Sequence, residues 1–219
     1  MLGCGVYTLR EVSRLTRIPP ATVRSWLKWR SDGAGLGPVF RGDYESVGGD
    51  YAVSFLNLIE VYVAGFFRHH GVNPNTIRRT HEVLQGELGT PHPFARKDLV
   101  TSHGRIIRKT ADIVGNPVLS DAISKQEWFP KMEIYLKPIE YRDALAARWR
   151  IADGVMIDPA IGFGKPIVAS TGITTFVLAN QYRANRDDGA LVAKLFDVSE
   201  ADVLNAVDFE SKLRSRLAA

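Results

Sequence analysis

The chain has 219 residues, of which 45% are hydrophobic and 24% charged, and its formal net charge is +4. These values are typical of a folded protein with one large or two small domains. No apolar run reaches about 18 residues, and no signal-peptide pattern is present, so we expect a cytoplasmic protein without a membrane partner. The single cysteine, Cys4, excludes an internal disulfide and a cage of thiolate metal ligands.

The segment from Tyr7 to Trp29 has the pattern of two short helices joined by a tight turn. Thr8 and Glu11 have the spacing of a capping box, which would begin the first helix. Pro20 suits the first position of a second helix, because its fixed φ is helical and its missing N–H would be unpaired there. The segment therefore predicts a helix-turn-helix, whose second helix would lie in the major groove of DNA.

Positive charge is concentrated in this segment. Residues 1–30 hold six basic side chains and one acidic side chain, a net of +5, so the rest of the chain sums to about zero. A solvated basic face would give the same local pattern, but the concentration of charge favours phosphate binding. The predicted DNA-contacting residues can all donate hydrogen bonds: Arg17, Thr22, Arg24, Ser25, Lys28, Arg30 and, from the next segment, Arg41.

The residues after this pair predict a wing and two further helices. Val39–Arg41 and Asp50–Val53 are expected to pair as a hairpin around Gly48-Gly49, with Arg41 near its base. Residues 54–70 predict a strongly apolar, largely buried helix. Asn73-Pro74 predicts the cap and first turn of another helix, which continues to about Leu88.

The stretch from Tyr7 to about Leu88 resembles the DNA-binding domain of the MerR family. The resemblance lies in the Tyr-Thr-x-x-Glu-Val start at Tyr7, the Pro-Ala-Thr-Val-Arg-x-Trp helix at Pro20, the wing, and a later Gly-Val-x-Pro turn. Pro19 departs from the usual capping Ser or Thr. No long dimerising coiled coil with a cysteine cluster follows, so metal or drug sensing is not carried over.

The middle of the chain predicts mixed, strand-rich structure. A hairpin is expected from residues 100–102 and 105–109, with two further strands at Ile134–Tyr141 and 146–151. A short helix is expected between the two pairs of strands, over residues 119–125.

The C-terminal part predicts two strands around the Gly162-Phe-Gly-Lys-Pro166 turn, a helix capped by Thr174, and a second helix-turn-helix at residues 188–213. The predicted core of this second pair consists of Leu191, Val192, Leu195, Val198, Val203, Leu204 and Val207. Residues 174–219 hold six basic and seven acidic side chains, a net of −1. That surface would repel phosphate, which favours a protein-contact or dimerisation unit over a second DNA contact.

Residues from about Ile151 to Phe209 resemble the bacterial domain of unknown function number 433. The matching motifs are Ile157-Asp-Pro159, the Gly162–Pro166 turn and Thr171-Gly-Ile173. Proteins with this domain resemble antitoxins of the VapB kind. The resemblance implies an antitoxin of a type II toxin–antitoxin pair, a homodimer that neutralises a PIN-type ribonuclease toxin and represses its own operon by binding double-stranded operator DNA.

Two other functions are consistent with parts of the sequence. A free-standing MerR-like transcription regulator responding to a small ligand is one alternative. A metal-dependent nuclease is the other, using Asp153, Asp158, Asp187 and Asp188, but turns and helix caps explain these acids better. His69 and His70 are adjacent and cannot both hold one ion on a helix. No catalytic residue, metal site or cofactor is therefore expected.

Together these patterns predict an α+β, mainly helical fold in three parts. Residues 1–90 would form the winged helix-turn-helix, residues 91–152 a mixed connecting region, and residues 153–219 a C-terminal three-helix bundle.

Overall fold

The computed structural model describes residues 5–27, 38–44, 51–101, 113, 115 and 128–215. The fold is α+β and mainly helical, with two small antiparallel sheets. The chain divides into two compact units. The N-terminal unit runs from Tyr7 to Ala146, and the C-terminal unit consists of residues 147–219 with the residues up to Val6.

The N-terminal unit begins with the predicted helical pair. Strand β1 (Tyr7–Thr8) leads into α1 (Leu9–Thr16), and α2 (Pro20–Leu27) follows after a short turn. The predicted capping box is confirmed, because the Thr8 N–H donates to Glu11 Oε2 at 2.8 Å and the Glu11 N–H donates to Thr8 Oγ1 at 3.2 Å. The buried residues of the pair form its core: Val12, Leu15, Ile18, Val23, Trp26 and Leu27.

The predicted wing hairpin is wrong. Strand β2 (Ala52–Val53) pairs antiparallel with β1, and Val39–Arg41 forms no strand. Phe40 is fully buried, and its N–H donates to the Trp26 carbonyl at 3.0 Å. This segment therefore packs against the end of α2 instead of pairing as a strand. The expected Gly48-Gly49 turn lies outside the described residues.

Both predicted helices of the following stretch are confirmed. Helix α3 (Phe55–His69) is capped by Ser54, whose side chain accepts from the Asn57 N–H. Helix α4 (Pro74–Leu88) is capped by Asn73, whose side chain accepts from the Thr76 N–H. Ten of the fifteen residues of α3 are buried, which makes this helix the centre of the N-terminal unit.

The middle of the chain is more helical than predicted. A short 3₁₀ turn (Pro93–Ala95) is followed by α5 (Asp98–Thr101), so residues 100 and 101 of the strand expected at 100–102 are helical instead. Helix α6 (Trp128–Leu136) occupies the first residues of the strand expected at Ile134–Tyr141. The buried residues Met132 and Leu136 are four apart, a helical spacing, which accounts for that error. The expected hairpin residues 105–109 and the helix over 119–125 lie outside the described residues.

A strand pair follows α6. Strand β3 (Ile139–Arg142) turns through Asp143-Ala144 into β4 (Leu145–Ala152), which corresponds to the strand predicted at residues 146–151. Both turn residues have positive φ, 49° and 66°, as a tight two-residue hairpin turn requires. Within the C-terminal unit, β4 pairs antiparallel with β5 (Val155–Ile157), and β5 pairs antiparallel with β6 (Pro166–Val168).

The C-terminal unit continues with three helices, as predicted. They are α7 (Thr175–Ala184), α8 (Gly189–Phe196) and α9 (Glu200–Ser215). Asp188 caps α8 by accepting from the Leu191 N–H at 2.9 Å. Six residues form the core between these helices and β6: Val168, Leu178, Val192, Ala193, Val203 and Ala206.

Three leucines assigned to this core by the sequence are exposed instead. Leu191, Leu195 and Leu204 are 42%, 60% and 47% exposed. On α8 the buried side is taken by Val192 and Ala193, and helical geometry turns Leu191 and Leu195 away from it. The core prediction is therefore wrong for these three residues. Within the described ranges, no helix combines the length and apolar character needed to cross a membrane.

Candidate nucleic-acid interface

Helix α2 presents a polar face opposite its buried side. Arg24 and Ser25 are exposed and Thr22 is half-buried, while Val23 and Trp26 are buried. The Ser25 hydroxyl donates to the Thr22 carbonyl at 2.8 Å. Arg24 is therefore the charged group of this face, and its guanidinium can donate a bidentate pair of hydrogen bonds to a phosphate or to a guanine edge.

Arg17 lies apart from that face, at the C-cap of α1 in the left-handed conformation (φ 62°). Tyr62 of α3 and Tyr135 of α6 form a stacked pair with ring centroids 4.2 Å apart, and the positive charge of Arg17 acts to lower the pKa of both. Burial raises the pKa of Tyr62 to about 12, and the Arg17 charge opposes that rise only in part. Two other predicted contacts, Lys28 and Arg30, lie outside the described residues.

Arg41 is exposed beside the C-terminal end of α2. It directly follows Phe40, whose N–H is bonded to the Trp26 carbonyl at 3.0 Å, and the Phe40 ring meets the Trp26 ring edge to face at 6.1 Å. The Arg41 carbonyl accepts from Asn57 Nδ2 of α3 at 3.2 Å. The structure therefore brings Arg41 to the same helix that carries Arg24, although no wing strand holds it.

A buried ionic network fixes the segment that contains Arg41. Glu60 of α3 is fully buried and accepts from two histidines, His81 Nε2 at 2.8 Å and His92 Nδ1 at 3.2 Å. His92 Nε2 also lies 3.0 Å from Asp43 Oδ1. Asn57 completes the connection, since its side-chain oxygen accepts from the Asp43 N–H at 3.1 Å.

The charges in this network stabilise one another. Burial alone would lower the pKa of His92, but its hydrogen bonds to Asp43 and Glu60 and their negative charges raise the pKa to about 9. Burial would raise the pKa of Glu60, and the hydrogen bonds and charge of His81 and His92 outweigh that effect, so the pKa is lowered. The pKa of Asp43 is lowered through His92 and Ser54 against the same opposing effect of burial.

Sequence reasoning missed this network because it tested the histidines only as metal ligands. One signal was available, since Glu60 is the only acidic residue in the strongly apolar helix α3. A buried carboxylate requires partners, and histidines are suitable donors. In the described part of the chain, no group of three or more His, Cys, Asp or Glu is arranged so that it could hold a metal ion.

Two of the four acids considered for a nuclease have structural partners. Asp158 is buried and accepts from Arg148 Nε at 2.7 Å and from the Ala160 N–H at 2.8 Å. Asp188 is the cap of α8. These contacts fit the interpretation of both residues as structural acids.

The second helical pair, α8 and α9, presents a very different surface. Residues 187–208 contain six acidic side chains and one basic side chain, Lys194, a net of −5. Asp202 accepts from the Ser170 hydroxyl at 3.0 Å, and Asp208 is paired with Lys212 at 2.7 Å. The exposed leucines 191, 195 and 204 lie on the same two helices. An acidic surface with exposed apolar side chains suits a protein partner rather than a phosphate backbone.

Comparisons with known proteins show what the two units resemble. The family described as "Protein of unknown function (DUF433)" matches residues 155–209, which confirms that part of the resemblance. The chain is 26% identical over 223 residues to a Mycobacterium tuberculosis protein named "Putative antitoxin VapB45", covering 93% of this chain and 92% of that one. The X-ray crystal structure of Rv2018 from Mycobacterium tuberculosis has the same fold, with a TM-score of 0.74, 26% identity, and coverage of 92% of this chain and 96% of that chain.

Proposed function

We propose that this protein is the antitoxin of a type II toxin–antitoxin pair, which binds a ribonuclease toxin of the PIN type and represses its own operon. The observation that carries the proposal is the similarity to a protein named an antitoxin over more than nine-tenths of both chains. That similarity includes both units, so it extends to the N-terminal helical pair as well as to the C-terminal domain.

In this proposal, α2 reads the operator. Arg24 contacts a base edge or a phosphate, Ser25 and Thr22 contribute hydroxyl groups, and Arg41 contacts the backbone next to the helix. The described part of the helical pair, residues 5–27, holds four arginines and one glutamate, a net of +3, which supports binding to a polyanion. The MerR-like docking of this helix belongs to the same proposal.

The helices α8 and α9 bind the toxin. A ribonuclease must attract RNA, which requires a positively charged surface. An acidic helical pair is complementary to such a surface, and exposed leucines add apolar contact area. Neutralisation would then need no chemistry from the antitoxin, so we propose a binding protein without a cofactor.

The test uses the reading frame adjacent to this gene. Expressed alone in a bacterial host, its product should arrest growth, and co-expression of this protein should restore growth. The purified protein should also shift DNA from upstream of its own gene, and not shuffled DNA of the same composition. An adjacent product that does not arrest growth, or an arrest that this protein does not relieve, would contradict the proposal.

A further inference from the structure

The C-terminal unit has a second exposed apolar surface, separate in sequence from the leucines of α8 and α9. Phe163 and Phe176 are 67% and 59% exposed, and Val6, Ile161 and Val177 are each about 40% exposed. We call these five residues the aromatic patch. Aromatic side chains are enriched at protein interfaces, where a few well-packed residues carry most of the binding energy.

Contacts between the segments show that the patch is formed by neighbouring parts of the unit. The Val6 N–H donates to the Phe163 carbonyl at 3.1 Å. A side chain at Gly162 would place its Cβ 3.7 Å from Thr174 Cγ2, and one at Gly172 would place its Cβ 3.8 Å from Ile161 Cγ2. Thr174 occupies the N-cap position of α7, which carries Phe176, although its side chain makes no capping hydrogen bond. The turn at Phe163 and the start of α7 are thus adjacent.

The backbone conformation at Phe163 is unusual for an aromatic residue. This residue has a positive φ of 58°, in the left-handed region that favours glycine and that an aromatic residue adopts at a cost. Glycine would satisfy this turn without strain, as it does on either side at Gly162 and Gly164. Packing within the unit does not offset this cost, because two-thirds of Phe163 is exposed. The turn therefore holds an aromatic side chain where the fold alone does not need one.

The charge of the surrounding surface indicates what covers the patch. Segments 159–165 and 171–177 together contain 14 residues, and Lys165 is the single charged residue among them. In a two-fold interface each surface contacts the same surface of the second copy. A net charge on that surface is therefore repelled by an equal charge on the partner. The α8–α9 surface, with its net of −5 over residues 187–208, would repel itself, whereas the aromatic patch would not.

From this contrast we infer that the aromatic patch is the surface through which two copies of this chain form a homodimer. An aromatic ring exposes on the order of 200 Å², so the two phenylalanines offer roughly 250 Å² per protomer. The three aliphatic residues and the uncharged rim add further area. Counted over both protomers, the buried surface then approaches the roughly 1,000 Å² expected of a specific interface. The inference rests on the proposed function only in that a two-fold operator site requires two recognition helices.

The test is sedimentation equilibrium of the full-length protein in the absence of DNA and toxin. The wild-type protein should be a dimer. Phe163→Gly, which keeps the positive φ available, and Phe176→Ser should each weaken the dimer by about tenfold or more. Leu195→Ser is the matched control, because Leu195 is 60% exposed in the same unit and lies outside the patch. Circular dichroism of each variant should match the wild type.

A monomeric wild-type protein would overturn the assignment. So would a Phe163→Gly Phe176→Ser double variant that dimerises as tightly as the wild type, or a Leu195→Ser variant that loses the dimer. These outcomes are independent of the growth and DNA experiments, so the dimer surface and the antitoxin function can fail separately.

Discussion

The helical pairs α1–α2 and α8–α9 have the same local design and opposite surfaces. In each, a short helix ends at a left-handed residue, Arg17 (φ 62°) or Asp197 (φ 52°), and a second helix follows after a tight turn. Residues 5–27 have a net charge of +3, and residues 187–208 have a net charge of −5. The comparison teaches that a helix-turn-helix fixes backbone geometry, while the charge of its surface decides which partner it can accept.

The two pairs also differ in the interactions beneath them. Next to α2, the segment carrying Arg41 is fixed by the ionic network of Glu60, His92 and Asp43. The α8–α9 pair rests on an apolar core, beside which buried Glu210 of α9 accepts a hydrogen bond from Thr175. This difference predicts that the N-terminal unit responds to charge and pH much more strongly than the C-terminal unit does.

The largest expected effect comes from removing the central carboxylate. Glu60→Ala leaves His92 with one acidic partner and His81 without its carboxylate, and breaking a buried ion pair costs about 3–5 kcal/mol. Hydrogen exchange of α3 and α4 should accelerate accordingly. The matched control is Glu210→Gln in the C-terminal unit, where the buried carboxylate accepts from the Thr175 hydroxyl at 2.6 Å. An amide can still accept that bond, so its cost should be about 1 kcal/mol or less.

The pH dependence of stability should distinguish the two units. The pKa of His92 is raised from 6.5 to about 9 on folding, so its contribution is complete below pH 6.5 and is lost as the pH rises through 9. The N-terminal unit should lose up to about 3 kcal/mol over that interval. The lowered pKa values of Glu60 and Asp43 add a loss on the acid side, below their ordinary range. Urea unfolding across this range should show the alkaline slope, and His92→Gln should abolish it.

Operator binding should depend on Arg24. Arg24→Ala is expected to weaken binding by about 1–3 kcal/mol, with loss of discrimination at one base if the side chain reads a guanine. Arg183→Ala changes an exposed arginine of α7 in the other unit and should have no such effect. A quantitative mobility-shift titration measures both. Equal losses for the two variants would mean that general charge, rather than the α2 surface, determines binding.

A smaller effect is expected at Arg41. If this side chain holds a phosphate, Arg41→Ala should weaken binding to all sequences by a similar factor and reduce the salt slope by about 0.9. Titrations at several salt concentrations provide the measurement. A change confined to one operator sequence, with an unaltered slope, would assign Arg41 to base reading instead.

Local rules predicted the helices well because their signals lie within a few residues. The capping box at Thr8, the Asn73-Pro74 start and the Asp188 cap each specify a helix end through short-range hydrogen bonds. The β2 partner was missed for the opposite reason. Strand pairing between Tyr7 and Val53 joins residues far apart in sequence, and local signals cannot identify the partner.

Only the exposed part of the candidate nucleic-acid interface could be predicted from the sequence. Helical periodicity placed Arg24 and Ser25 on the polar face of α2, and the structure has them exposed there. Periodicity could not show that Leu191 and Leu195 are exposed. The sequence pattern of an apolar residue on a helix is the same whether the residue packs in the core or binds another protein. The ionic network was also out of reach, since it assembles residues 43, 60, 81 and 92 from four separate segments.

The most direct test of the central claim measures both activities on two variants. Arg24→Ala should lose operator affinity and still rescue growth from the adjacent gene's product, whereas Leu191→Ser Leu195→Ser should keep operator affinity and lose the rescue. This crossed result would assign DNA to the basic helical pair and the toxin to the acidic one. Loss of both activities in either folded variant, or retention of the rescue by the double leucine variant, would contradict the account.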